Sequence, residues 1–232
     1  MGRILLLETS TRMLSVALAQ DGKVLAERVC DEPRQQASLT APLVKEVMDA
    51  AGVSLRDCDA VAVSSGPGSY TGLRVGVSTA KGLAFGANLP LISVCTLDIL
   101  CQQAMNLGAQ QHKGSGVIVP MIDARRMEVY TAVYSPAGER LTPIEAVVVS
   151  ADSFAAQLAA GPVLFIGDGA LKCREVIGHP NARFVEAYPM ASDMTPLAEA
   201  AFQAGRFEDL AYFEPFYLKD FVATVSRKSI LP

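Results

Sequence analysis

At 232 residues, half of them hydrophobic and 19% charged, the chain has the apolar content for a substantial core and too little charge for intrinsic disorder. A formal charge of −4 disfavours a free-standing nucleic-acid binder that relies on neutralising phosphates. Five cysteines without a Cys-x-x-Cys spacing point to reduced thiols and a cytoplasmic location, and two isolated histidines, His112 and His179, argue against a histidine-based metal site.

The longest apolar runs fall far short of the ~20 residues a membrane helix needs, and the amino-terminal one is too short for a signal peptide. Residues 4–8 predict a short strand buried on both faces. Residues 13–20 and 23–29 flank Asp21-Gly22, a strong hairpin cue. Leu39, Leu43, Val47, Met48 and Ala51 then recur at helical spacing up to Gly52, a C-cap candidate, with Pro42 implying a start or a kink nearby. Residues 60–65 predict a strand broken by Gly66-Pro67-Gly68, after which Ser69 can cap a helix to about Gly86. A strand over 91–94 and a helix over 96–107 follow.

Residues 110–116 are polar and contain glycine, the candidate boundary between halves 1–109 and 110–232; a return of the C-terminal segment to the first half is left open. Strands over 117–122, 127–134 and 140–149 come next, with a turn at Ala137-Gly138. A helix over 152–160, a strand over 163–166, a glycine-rich turn and a helical region complete the chain. The repeated order predicts an α/β protein of two similar halves with mixed sheets, the arrangement of the actin-like ATPase superfamily built on a ribonuclease-H-like unit. Element order alone assigns no function.

Glu8-Thr9-Ser10-Thr11 ends the first strand, where an actin-like ATPase carries an acid and a glycine loop around nucleotide phosphates. No glycine lies between Ile4 and Gln20. Close approach of a phosphate is therefore hindered, and the alternative is a buried strand end whose hydroxyls satisfy the turn. Asp123 is the symmetric acid, but Ala124-Arg125-Arg126 follows it, so an arginine partner is expected rather than magnesium. Glu8 and Asp123 also raise a ribonuclease-H-type nuclease, which needs more acids at strand ends than the first half offers. The segment 66–74 lacks the endings of a P-loop or a dinucleotide loop. In the helix after it, Gly72, Gly76, Ala80 and Ala84 make a nearly bare face, suited either to packing within the chain or to a helix pair between chains. Gly167-Asp168-Gly169 is either an adenosine-receiving turn or a plain one. Arg227-Lys228 is a short basic tip.

Residues 64–76 (SSGPGSYTGLRVG) and 122–130 (IDARRMEVY) closely resemble the two marker motifs of the TsaB (YeaZ) family. The matching positions are Gly66, Pro67, Gly68, Ser69, Thr71 and Gly72, then Asp123, Arg125, Glu128 and Tyr130. Residues 4–11, 89–97 and 214–219 also look like family segments. The resemblance implies a degenerate actin-like protein without catalytic residue, metal or cofactor. The larger relative TsaD carries a His-x-x-x-His metal pair where this chain has Thr96 and Leu100.

The implied role is a scaffold supporting TsaD, with the small ATPase TsaE, in threonylcarbamoyl transfer to adenosine 37 of tRNAs reading codons that begin with A. The implied partners are TsaD, TsaE and a second copy of the chain, with tRNA only as part of the complex and no membrane. The competing reading is an active actin-like ATP-dependent enzyme. Leu39, Leu43, Val47, Tyr70, Leu73, Arg74, Gly76, Val77 and Ala80 are expected to form a helical seam with TsaD or a second copy. Gly76→Leu is then expected to cost association more than the fold. Glu8, Thr9, Gly167 and Gly169 are the expected vestige of a nucleotide site.

Overall fold

The hydrophobic pattern resolves into two five-stranded mixed sheets in a computed structural model that describes residues 2–111 and 116–219. His112, Arg227-Lys228 and most of the 110–116 boundary lie outside the described residues. The first half runs β1 (Arg3–Glu8), β2 (Leu14–Gln20), β3 (Lys23–Cys30), α1 (Gln36–Ala51), β4 (Ala60–Gly66), α2 (Tyr70–Ala87), β5 (Leu91–Cys95) and α3 (Thr96–Gln111). The second runs β6 (Val117–Asp123), β7 (Glu128–Thr131), β8 (Glu145–Val148), α4 (Ala155–Ala160), β9 (Val163–Ile166), α5 (Arg174–Ile177), β10 (Ala182–Val185) and α6 (Thr195–Gln203). Strand order is β3-β2-β1-β4-β5 in one sheet and, in the same sense, β8-β7-β6-β9-β10 in the other. Both have two antiparallel and two parallel pairings at equivalent places, so the halves are topological copies. This is the α/β actin-like architecture expected from the element order. No described helix is long and apolar enough to cross a membrane.

Local chemistry accounts for the boundaries. Asp21 and Gly22 both take left-handed backbone (φ 52 and 76), the requirement of a two-residue hairpin turn. Gly52 at φ 68 closes α1 by donating to the carbonyls of Met48 and Asp49. Pro42 is tolerated inside α1, which begins six residues earlier at Gln36.

β1 alternates its side chains between two cores. Leu5 and Leu7 join Val44, Val47 and Val77 beneath α1 and α2, whereas Ile4 and Leu6 join Met194, Ala198 and Ala201 around α6. Thus α6, from the second half of the chain, covers the first sheet. Reciprocally, α3 sends Leu97, Leu100, Cys101 and Ala104 into a core with Ile118, Ile122, Leu164 and Ile166 of the second sheet.

Three expectations change. The strand expected over 140–149 shrinks to β8, because Pro143 offers no amide and only short bridges precede it. The helix expected from Asp152 starts at Ala155, since residues 151–154 form a turn with Phe154 left-handed. β10 was not anticipated: Ala182–Val185 is a four-residue edge strand containing an arginine, too short to show an alternating pattern.

A polar tie fastens the halves beside the α3 core. Asp98 accepts from the Tyr134 hydroxyl at 2.5 Å and from Arg140 at 2.8 and 2.9 Å. Asp98→Ala would strand both donors, so a loss of about 2–4 kcal/mol is expected in urea denaturation. Tyr134→Phe is expected to cost less, because the Arg140 pair survives.

Candidate functional site

The end of β1 is the first place where the sequence suggested chemistry. Glu8, Thr9 and Ser10 are fully buried, and one Glu8 carboxylate oxygen accepts the Ser10 amide at 2.6 Å. Among the described residues, the other Glu8 oxygen and the hydroxyls of Ser10 and Thr11 have no hydrogen-bond partner. Burial pushes the Glu8 carboxyl up from 4.5 to about 7, against the lowering effect of the Ser10 amide and the nearby Ser64 hydroxyl.

The turn after Glu8 is driven into the amino-terminal end of α2. The Thr9 hydroxyl donates to the Gly72 carbonyl at 2.8 Å, and the Ser10 carbonyl accepts the Ser69 amide at 2.6 Å. A Cβ on Gly68 would overlap the Ser10 carbonyl, on Gly72 the Thr9 carbonyl, and on Gly76 the Thr9 hydroxyl. Ser69 caps the helix by accepting the Gly72 amide at 3.3 Å. The loop 66–69 therefore spends the Ser69 amide and its glycines on the chain itself. Close approach is why the helix carries Gly72 and Gly76, and the neighbour is Thr9 of the same molecule, through its backbone at Gly72 and its side chain at Gly76.

Most of the residues expected at a seam lie inside the single chain. Leu43, Val47, Leu73, Gly76, Val77 and Ala80 are buried within the molecule, and Leu39 is half-buried against the same core. They are spent on the fold. Tyr70 is half-exposed and Arg74 exposed: the Arg74 guanidinium lies 4.3 Å from the Tyr70 ring centroid and donates to the Tyr217 hydroxyl at 3.2 Å. Thr71 is exposed beside them. The face of α2 that does reach the surface bears Ser78, Gly82, Phe85 and Gly86. Phe85 is 81% exposed, and a Cβ on either glycine would meet nothing. A groove of 310 Å³ lies alongside, lined by Leu55, Arg56, Gly82, Leu83 and Gly86. Both faces of α2 carry small residues at helical spacing, so spacing alone does not say which of them packs inside the molecule.

Asp123, the symmetric acid, is treated differently. Its partner is Lys172, not an arginine side chain; the Lys172 ammonium also donates to the carbonyls of Arg126 (2.8 Å) and Glu128 (2.7 Å). Asp123 further accepts the Arg125 amide at 2.8 Å, and its own amide donates to Asp168 at 2.9 Å. Burial pushes the Asp168 carboxyl up to about 6. Gly167, at φ 133, backs onto the Met121 carbonyl, and a Cβ on Gly169 would fit tightly, 3.0 Å from Val129 and 3.1 Å from the Asp123 amide. Both glycines thus serve close packing on β6. Tyr130 sits half-buried at the α3 core. Among the described residues, no three or more His, Cys, Asp or Glu stand close enough to share a metal ion.

The tail was hardest to foresee. After α6 it bridges to Leu91 through Glu208, and Lys81 holds the carbonyls of Ala211 and Phe213 at 3.3 and 3.0 Å. Phe216 donates to the Ser65 carbonyl at 2.7 Å, its own carbonyl pressing where a Gly66 Cβ would stand. Lys219 finally pairs with Glu128 of the second half.

With that geometry in view, comparison with known proteins is decisive. The family model described as "TsaD: tRNA N6-adenosine threonylcarbamoyltransferase" matches residues 31–227. An Escherichia coli protein named tRNA threonylcarbamoyladenosine biosynthesis protein TsaB is 34% identical, over 95% of this chain and 96% of its own. The chain belongs to the TsaB (YeaZ) family. A Bacillus subtilis protein of the same name is 30% identical over 71% of this chain and 70% of its own. The solved structure of YeaZ from Pseudomonas aeruginosa superposes with a TM-score of 0.79 at 32% identity, covering 94% of this chain and all of that one.

Two outcomes follow. The folded Glu8 carboxyl titrates near 7 and the unfolded one near 4.5, so the folded state binds more protons between those values and stability falls as pH rises through that window. Glu8→Gln is expected to flatten this dependence and to add up to about 3 kcal/mol at pH 8, read by urea denaturation at pH 5 and 8. Gly76→Ala, whose added Cβ overlaps the Thr9 hydroxyl, is expected to unfold or strongly destabilise the chain in thermal denaturation, by about 2 kcal/mol or more.

Proposed function

We propose that the chain is a non-catalytic scaffold subunit that binds and supports a TsaD-type transferase, with the small ATPase TsaE, in threonylcarbamoyl transfer to adenosine 37 of tRNAs reading codons that begin with A. One observation carries the reading: where an actin-like ATPase leaves a loop open for nucleotide phosphates, Thr9 and Ser10 fill the glycine face of α2. The second loop supports it, because Lys172 already neutralises Asp123. At the positions of the TsaD histidine pair, Thr96 and Leu100 are both fully buried, and neither offers an imidazole. Glu8, Thr9, Gly167 and Gly169 are then remnants of a nucleotide site turned to packing. The relatives' names supply the pathway. Five free cysteines suit a cytoplasmic workplace.

The partner face in this reading is the outer side of α2, with Ser78, Gly82, Phe85 and Gly86, flanked by the exposed residues of α1. A second copy or the equivalent helices of TsaD would dock there, each Phe85 facing the small residues of the other chain. Tyr70 and Arg74 mark its amino-terminal end.

Gly82→Arg tests this. Its Cβ meets no neighbour, so the fold should persist by circular dichroism. Self-association in sedimentation and capture of TsaD are both expected to fall at least tenfold. Unchanged capture would move the partner face elsewhere on the molecule. ATP hydrolysis by the isolated chain that vanishes with Glu8→Ala would overturn the scaffold reading itself.

A further inference from the structure

The turn between β6 and β7 holds two consecutive arginines in left-handed backbone, Arg125 at φ 69 and Arg126 at φ 50. Asn-Gly or Asp-Gly is the pair that such a turn favours, and this chain places Asp21-Gly22 in its own β2–β3 hairpin. Side chains with a Cβ are strained here, and strain of this kind persists only where surrounding groups hold it. They do. Asp123 fixes the Arg125 amide, and Lys172 grips the carbonyls of Arg126 and Glu128.

None of those bonds uses a guanidinium. Both arginine side chains are exposed, and among the described residues no carboxylate forms an ion pair with either. The acids around the turn are engaged: Asp123 with Lys172, Glu128 with Lys219, and Asp168 with the Asp123 amide. The field at the tip is therefore that of two uncompensated cations, on a chain whose net charge is −4. Backbone strain, internal neutralisation of the neighbouring acids and two free forked donors coincide at one protruding place.

We propose that the Arg125-Arg126 turn is an RNA phosphate clamp, gripping the tRNA backbone as the substrate lies across the assembled complex. This rests on the scaffold reading above. Guanidinium forks match phosphate oxygens bidentately, and two adjacent ones suit successive phosphates. Such contacts position the nucleic acid without reading its sequence. The acidic remainder of the chain confines its contribution to this turn, so the partner must supply the rest of the RNA surface.

The test is Arg125→Asn with Arg126→Gly, which removes both cations and installs a turn pair free of strain. The complex with TsaD is titrated with an in-vitro transcribed tRNA at about 50 and about 200 mM salt. Affinity is expected to fall roughly tenfold at the lower salt, and the slope of log affinity against log salt to flatten by about 1.5–2. The variant chain is expected to melt about 2–4 °C higher, and to capture TsaD as the parent does. Arg125→Lys with Arg126→Lys should keep the slope. Unchanged tRNA affinity and slope would overturn the proposal. A lowered melting temperature would do so as well, since the arginines would then serve the fold. Lost TsaD capture with undiminished tRNA binding would likewise overturn it, in favour of an acidic protein partner. If the parent chain itself fails to capture TsaD, the scaffold reading fails, and the same salt slopes measured on the isolated chain still decide the clamp.

Discussion

The insertion of Thr9 into the glycine face of α2 is the contact on which the rest of the first half depends. Thr9 and Ser10 follow a strand buried from Ile4 to Glu8, so their position is set by β1, and α2 must come to them. Only glycine at 68, 72 and 76 permits that approach. Once α2 is seated there, Leu73 and Val77 fall inside the core, and Ser78, Gly82 and Phe85 are left facing outward. A packing requirement at one end of the helix thereby decides which of its faces is available at the other.

A second constraint joins the halves. Each sheet is covered on one side by the last helix of the other half: α3 on the second sheet and α6 on the first. Neither half can close its core alone. The Asp98–Tyr134–Arg140 tie and the Lys219–Glu128 pair fasten the same junction with polar groups. The result is a frame in which helices from both halves are shared, and whose relative orientation is carried by apolar burial rather than by a linker.

Much of this architecture was legible in the residues. Apolar runs of strand length, Asp21-Gly22, Gly52 and Ser69 announce elements whose boundaries rest on local chemistry, and the repeated order announces two copies. The losses occurred where local signals are weak or degenerate. β10 is too short for a period. α2 carries glycine on two faces, and spacing alone does not say which one meets β1. Lys172 lies 49 residues from Asp123, so the arginines adjacent in sequence looked like the natural partners. The tail shows no periodicity, because its contacts are scattered: hydrogen bonds to Ser65, Lys81 and Arg74, Leu210 and Phe213 packed on the first core, and the Lys219–Glu128 pair.

The two strand-end acids, at equivalent places in the two halves, are held in two different environments. Glu8 is enclosed completely, with one oxygen bonded and the other unpartnered among the described residues, and desolvation holds its proton to near neutrality. Asp123 stays exposed beside Lys172, which also stitches together the turn that follows. Desolvation closes the first site to a charged ligand; an internal counter-ion occupies the second. The environments differ in what they leave behind. Closing the first site turned its loop into packing material for α2. Neutralising the second left its loop at the surface, where a lysine stabilises the backbone and two arginine side chains remain free to meet something outside the chain.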